Sequence, residues 1–238
     1  MYKRQLADSE EMLGLLTGSG HEIVDSEEEA DAIVINTCCF IHDAKEESVN
    51  TILEMAEYKK TGSCKALIVT GCMAQRYKEE ITQEIPEVDA VLGTTSYGDI
   101  VKALNEAQAG NVFQEFRDIN ELPEDSGRRV LTTGGHFGYL KIAEGCDKHC
   151  TYCIIPSLRG RFRSVPEERL LAQAEYMASQ GVKELILVAQ ETTVYGTDLY
   201  GKKTLHILLK KLCQIKGIRW IRVLYCYCLL YTSDAADD

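Results

Sequence analysis

The 238-residue chain contains no run of about 18 apolar residues, and its N-terminus carries no apolar stretch flanked by basic residues. Neither a membrane-spanning helix nor a secretory signal is therefore expected, and the protein is assigned to the cytoplasm without a membrane partner. Basic excess is missing as well. There are 26 Lys and Arg against 37 Asp and Glu, a formal net charge of −11, so the electrostatic footprint of a duplex-binding domain is absent. Cysteine, in contrast, is plentiful, with ten residues. In a chain without a secretion signal, and longer than small disulfide scaffolds, these thiols point to metal or redox chemistry or to core packing, not to a disulfide framework. Cys38 and Cys39 are neighbours that point to opposite faces if extended, so at most one is expected to serve a site. The same is expected of Cys226 and Cys228.

The length allows one large α/β domain or two smaller ones, and two are expected. "DSEEMLGLLTGSG" reads as a helix with Asp8 or Ser9 as N-cap and glycines as its stop. "ADAIVINTCCF" is a continuous β-branched run, as for a parallel strand buried on both faces. An amphipathic helix follows, capped by Asp43, with a stripe of Val49, Ile52, Leu53 and Ala56 and an end at Gly62. Strand "KALIVTGC", helix "AQRYKEEITQEI" stopped by Pro86, strand "DAVLG" and helix "SYGDIVKALNEAQAG" continue the alternation, which signals βαβ units and a parallel sheet. Ligands of such sheets gather outside the carboxyl ends of the strands. Cys38 and Cys72 both stand there and are expected on one rim of the sheet.

Residues 111–137 are polar and aperiodic, and read as a connection between domain 1–110 and domain 138–227. The second series opens with strand "YLKIAEG" and a cysteine-rich loop. Ser164 and Glu167 then form a potential capping box before a helix with Leu170, Leu171, Ala174, Met177 and Ala178 on one face. Strand "ELILVAQ", a loop, helix "TLHILLKKLCQI" and strand "IRWIRVLY" bring the strand count of this series to three, short of a closed barrel.

The loop "EGCDKHCTYCIIPSLRGRFRS" holds Cys146, Cys150 and Cys153, spaced Cys-x3-Cys-x2-Cys. A four-iron cluster ordinarily takes four thiolates, so three would leave one iron open to a substrate or cofactor. The competing readings are a zinc knuckle with His149 as fourth ligand, and buried thiols without a metal. Zinc wants a closed tetrahedral set, usually completed by a second cluster of ligands, and none stands nearby in sequence.

The cysteine loop after a first barrel strand resembles the radical S-adenosylmethionine superfamily, and in detail its methylthiotransferase branch. "VINTCCFI" and "VTGCMAQRY" are similar to the N-terminal cluster-binding domain of that branch. The resemblance covers the chain from about Leu6 to Tyr227. It implies an α/β fold, with an N-terminal parallel-sheet cluster domain followed by a partial radical-SAM (β/α) barrel. It further implies that Cys146, Cys150 and Cys153 bind a [4Fe-4S] cluster whose open iron takes S-adenosylmethionine, from which a 5′-deoxyadenosyl radical is generated. Tyr152 would lie near the adenine, and Gln190 and Glu191 would hold the methionine part. Cys38 and Cys72 match two of three ligands of a second [4Fe-4S] cluster, the carrier or donor of sulfur.

Two activities occur in the branch. "CIIPSLRG" and "AQETTVYGTD" look closer to the type that methylthiolates the β-carbon of an aspartate in the twelfth small-subunit ribosomal protein than to the type that modifies a tRNA adenosine. The partners implied are that ribosomal protein, a reductant and a sulfur donor, with tRNA only under the second type. A non-catalytic metal-binding module is the alternative of another class. Arg159, Arg161 and Arg163 alternate, a pattern expected for a solvated face.

The resemblance departs from the family at both ends. "MYKRQ" stands where relatives carry a further cysteine after a first strand, so the second cluster is expected to lack one ligand. Residues 228–238 read as a non-native tail where relatives continue their barrel. The chain as written is expected to bind the first cluster without turning over.

Overall fold

The structure, a computed structural model, describes residues 3–124, 127 and 129–226; Cys228 and the expected tail lie outside the described residues. Two units form. One contains the chain up to Thr132 together with Gly145–Arg163, and the other contains Thr133–Glu144 together with the chain from Ser164 onward.

In the first unit the elements alternate as α1 (Lys3–Gly18), β1 (Ala32–Thr37), α2 (His42–Thr61), β2 (Ala66–Gly71), α3 (Cys72–Tyr77), α4 (Glu79–Glu84), β3 (Ala90–Leu92), α5 (Ile100–Gln108) and β4 (Phe113–Glu115). The strands make one parallel sheet in the order β1-β2-β3-β4. Every residue of β2 is buried, as its unbroken apolar run requires. One face of the sheet packs Leu67, Val69 and Val91 against Ile52 and Ala56 of α2 and Met73 of α3, whereas the other packs Ile68, Ala90 and Leu92 against Met12 of α1 and Ile100 and Leu104 of α5. Each large aliphatic side chain buried this way contributes roughly 1.5–3 kcal/mol.

Several local expectations are corrected. β1 is not buried on both faces; Ile33, Ile35 and Thr37 are buried and their alternates only partly, because β1 has one sheet neighbour among the described residues. Asp8 and Ser9 do not cap α1, which already begins at Lys3. Asp8 is instead buried against an arginine, and the Ser9 hydroxyl accepts a hydrogen bond from Asn36. Asp43 lies in the first turn of α2, behind Ile41 at the N-cap. Leu53 stays 48 % exposed while Ser48 takes the inward place, for the reason given below. The helix expected over 74–85 breaks at Lys78, where φ is 40°, and begins earlier, at Cys72. Within the polar connection, Phe113–Glu115 forms β4 and completes the sheet beside β3.

The second series runs β5 (Phe137–Lys141), β6 (Ala143–Glu144), the cysteine loop with α6 (Ile155–Arg159), β7 (Arg163–Ser164), α7 (Glu167–Ser179), β8 (Glu184–Val188), α8 (Thr197–Tyr200), α9 (Leu205–Leu212) and β9 (Trp220–Val223). β5, β8 and β9 pair in parallel in that order, giving the three strands of a partial barrel. Leu170, Ala174 and Met177 of α7 are fully buried. The Ser164–Glu167 box is not made. Ser164 donates through N and Oγ to the Asp198 carboxylate, at 2.8 and 2.6 Å, and α7 starts behind Pro166 without a side-chain cap. Asp198 offers an acceptor for both donors, which outcompetes a single bond to the helix end.

Candidate metal centre

The three-thiol loop begins at Gly145, whose φ of 72° and lack of a side chain are both required, since a Cβ there would stand 1.9 Å from the Arg161 carbonyl oxygen. This close approach folds the loop back on itself. Cys146 N donates to Gly160 O at 3.1 Å, Phe162 N donates to Asp147 Oδ1 at 2.9 Å, and Cys153 N donates to Cys150 O at 3.0 Å across the intervening turn. Cys146 and Cys153 are half-buried and Cys150 is exposed, and none of the three is in a disulfide. Tyr152 is 87 % exposed, and His149 is exposed. A cleft of about 540 Å³ lined by Cys146, Asp147, His149, Pro156 and Arg161 opens beside the loop. Among the described residues no three His, Cys, Asp or Glu side chains converge as ligands of a single ion. A zinc knuckle requires such convergence. A four-iron cluster likewise needs its thiolates gathered around one cube, each on its own iron, so both readings remain open on this ground.

Cys38 and Cys72 are the residues that follow the paired positions Thr37 and Gly71 at the carboxyl ends of β1 and β2, so the parallel register sets them on one rim, as the sequence pattern requires. The rim is tightly built. Thr37 Oγ1 donates to Thr70 O at 2.5 Å, and Gly71, with φ 94°, passes so near Asn36 and Thr37 that a Cβ would lie 2.5 Å from each. Ser48 of α2 accepts from Cys38 N at 3.0 Å and lies 2.9 Å from Cys38 O, which explains a hydroxyl at an inward helix position. Cys39 turns into the core, 3 % exposed, and burial pushes its thiol up to about 11. It belongs to the hydrophobic cluster and not to the rim. The Cys38 thiol is also raised, first by burial and then by the neighbouring Cys72, with Arg159 acting in the opposite direction.

Arg159 is the residue that the sequence pattern missed. It is 6 % exposed, not part of a solvated face, and donates from Nε to Cys72 Sγ at 3.4 Å and from Nη1 to Asp8 Oδ2 at 3.2 Å. Arg161 alone of the three is exposed. No periodicity could have singled out Arg159, since its partners lie 87 and 151 positions away.

On the second unit, Gln190 and Glu191 follow the carboxyl end of β8. Glu191 is 3 % exposed and accepts a hydrogen bond from the Thr193 hydroxyl. Gln190 Oε1 is buried with no hydrogen-bond partner among the described residues, a costly state for an amide oxygen unless a ligand donor meets it.

The class that this fold and these thiols define is matched by two family models in succession. Residues 3–93 match the Uncharacterized protein family UPF0004, and residues 140–234 match the Radical SAM superfamily. The chain is 64 % identical over 224 residues to the ribosomal protein uS12 methylthiotransferase RimO of Lachnoclostridium phytofermentans, covering 94 % of this chain and 51 % of the relative. It is 53 % identical over 221 residues to the protein of the same name from Clostridium botulinum strain Eklund 17B (92 % and 49 % covered), and 49 % identical over 224 residues to that of Clostridioides difficile (94 % and 50 %). The chain spans about half the length of these curated relatives. Segment by segment, the chain is thus similar to radical SAM methylthiotransferases. That similarity implies S-adenosylmethionine and iron–sulfur clusters as cofactors, and the donor chemistry fits: soft thiols carried on one loop and on one sheet rim, outside any disulfide, with an amide oxygen buried without a partner at a strand end.

Proposed function

We propose that this chain carries the cluster-binding region of a radical S-adenosylmethionine enzyme that methylthiolates the β-carbon of an aspartate in ribosomal protein uS12. The observation that carries this reading is the single loop that holds Cys146, Cys150 and Cys153, none of them in a disulfide, within the segment that matches the Radical SAM superfamily. Three ligands hold a [4Fe-4S] cluster and leave one iron open. Cys38 and Cys72 hold a second cluster of the same kind. When bound, the clusters and S-adenosylmethionine supply the one-electron chemistry needed to break a C–H bond that no ordinary side-chain base can deprotonate. The protein side chains bind and orient. With the cofactor bound, Gln190 and Glu191 would hold its methionine part and Tyr152 would lie near its adenine, roles that the buried, unpartnered Oε1 of Gln190 and the exposure of Tyr152 support. Cytoplasmic ribosomes, a reductant and a sulfur donor are the partners of this reaction. The substrate choice is supported by the names of the relatives cited above.

Anaerobic reconstitution with iron and sulfide tests the reading. Iron and acid-labile sulfide are expected to bind, the reduced paramagnetic resonance spectrum to change on adding S-adenosylmethionine, and each of C146A, C150A and C153A to abolish that change. Tightly bound zinc with no response to the sulfonium cofactor would leave a metal-binding module without this chemistry. Deletion of the gene is expected to remove the methylthio mass increment from uS12; loss of a modified tRNA adenosine with uS12 unchanged would reassign the substrate.

A further inference from the structure

The two sets of thiols are joined by one short element. α6 leaves the three-thiol loop directly after Cys153, and its last residue, Arg159, reaches the other set. The helix is fixed in place by a ring of contacts. Leu158 O accepts from Thr94 Oγ1 at 2.9 Å, Thr94 N donates to Gln75 Oε1 at 3.1 Å, and Gln75 lies on α3, three residues beyond Cys72. Arg159 O accepts both Nη groups of Arg163 at 3.1 Å, and Leu158 is packed into the core of the sheet. The guanidinium donates both to the thiol of Cys72 and to the carboxylate of Asp8, which is 3 % exposed. A planar fork of fixed geometry suits these two acceptors, and an ammonium does not.

Arg159 is itself buried, so the Asp8 carboxylate answers its charge; the bond to the Cys72 sulfur is the one that an ion pair alone does not call for. A donor aimed at the Cys72 sulfur suits that atom as the ligand of a metal centre. Hydrogen bonds to cluster sulfurs and nearby charge are among the levers that set affinity and reduction potential.

We propose that Arg159, oriented by Asp8, is the positioning residue of the Cys38 and Cys72 site: its Nε–H is the hydrogen bond to the Cys72 sulfur that holds the iron–sulfur centre and raises its reduction potential. This rests on the assignment of Cys38 and Cys72 as ligands, made above. α6 thereby ties the hold on one cluster to the placement of the other loop.

The test uses the whole chain with C146A, C150A and C153A combined, so that iron reports on the Cys38 and Cys72 site alone. In that background R159M/D8N removes both members of the ion pair and leaves no buried charge unpaired, while R159K retains the charge without the fork. Thermal unfolding followed by circular dichroism establishes that each variant is folded. The expected result is iron lost to a chelator about 10- to 100-fold more readily in R159M/D8N, a shift of the reconstituted centre to more negative potential by resonance-monitored titration, and incomplete rescue by R159K. Folded R159M/D8N that keeps the same iron, spectrum and potential would reduce Arg159 to an internal ion pair and overturn the proposal. Failure of the background variant itself to hold iron, with Arg159 intact, would show that the two thiols of this rim hold no cluster in this chain and would overturn the proposal together with that reading.

Discussion

Tyr195 shows how burial, with its charged neighbours, makes a single residue a pH sensor. Its ring is fully buried, its hydroxyl donates to Val165 O at 2.9 Å, and desolvation raises its pKa above the ordinary value of 10, with Tyr200 and acidic neighbours adding to the shift. In the unfolded chain the phenol ionises near 10, whereas in the folded protein it retains its proton, so above that pH the native state binds more protons and stability falls. Denaturant midpoints are expected to be flat in this respect below about pH 9 and to decline from about pH 10 upward. In Y195F that alkaline decline should be shallower, at a cost near neutral pH of about 1 kcal/mol for the Val165 carbonyl left without its donor. An equal decline in wild type and variant would show that another group governs the alkaline limb. Buried thiols act in the same direction; Cys64, raised chiefly by burial, contributes from lower pH.

At the scale of elements, the break between α3 and α4 is the informative one. The pattern over 74–85 reads as one helix, yet Lys78 adopts φ 40° and ψ −118°, a conformation that costs a non-glycine residue about 1–3 kcal/mol. The break lets α3 begin directly at Cys72, at the strand end, while α4 turns to bury Ile81 against the sheet. One straight helix cannot meet both demands. K78G is therefore expected to raise the unfolding temperature, with relief of strain exceeding the added freedom of the unfolded chain by about 1 kcal/mol. A lower unfolding temperature would mean that the lysine side chain, whose ammonium lies 5.5 Å from the Phe116 ring centroid, matters more than its backbone. β1, β2, β3 and the helices between them were legible because their periodicities are local. β4 was not, because its three residues, Phe113–Glu115, are too few to show a period and are recognised as a strand only by pairing with β3.

At the scale of the whole chain, charge bears on nucleic-acid binding. A net charge of −11 leaves no general attraction for a phosphate backbone, so binding to bare tRNA at physiological salt is expected to be weaker than about 10⁻⁴ M. Filter binding across a salt series checks this, and a micromolar constant with a steep salt slope would favour the tRNA-modifying type. None of the helices described is long and apolar enough to cross a membrane.

The sequence by itself determined the alternation of strands and helices, the Cys-x3-Cys-x2-Cys loop and the shared rim of Cys38 and Cys72, because each follows from spacing within a strand, a turn or a parallel register. Only the tertiary structure decided that Asp8 and Ser164 leave their capping roles, that Cys39 is core and that Arg159 is buried on Cys72. Those outcomes depend on which polar group, far away along the chain, packing brings within hydrogen-bond distance. A buried donor or acceptor takes the partner that leaves least unsatisfied, whatever its neighbours in sequence suggest.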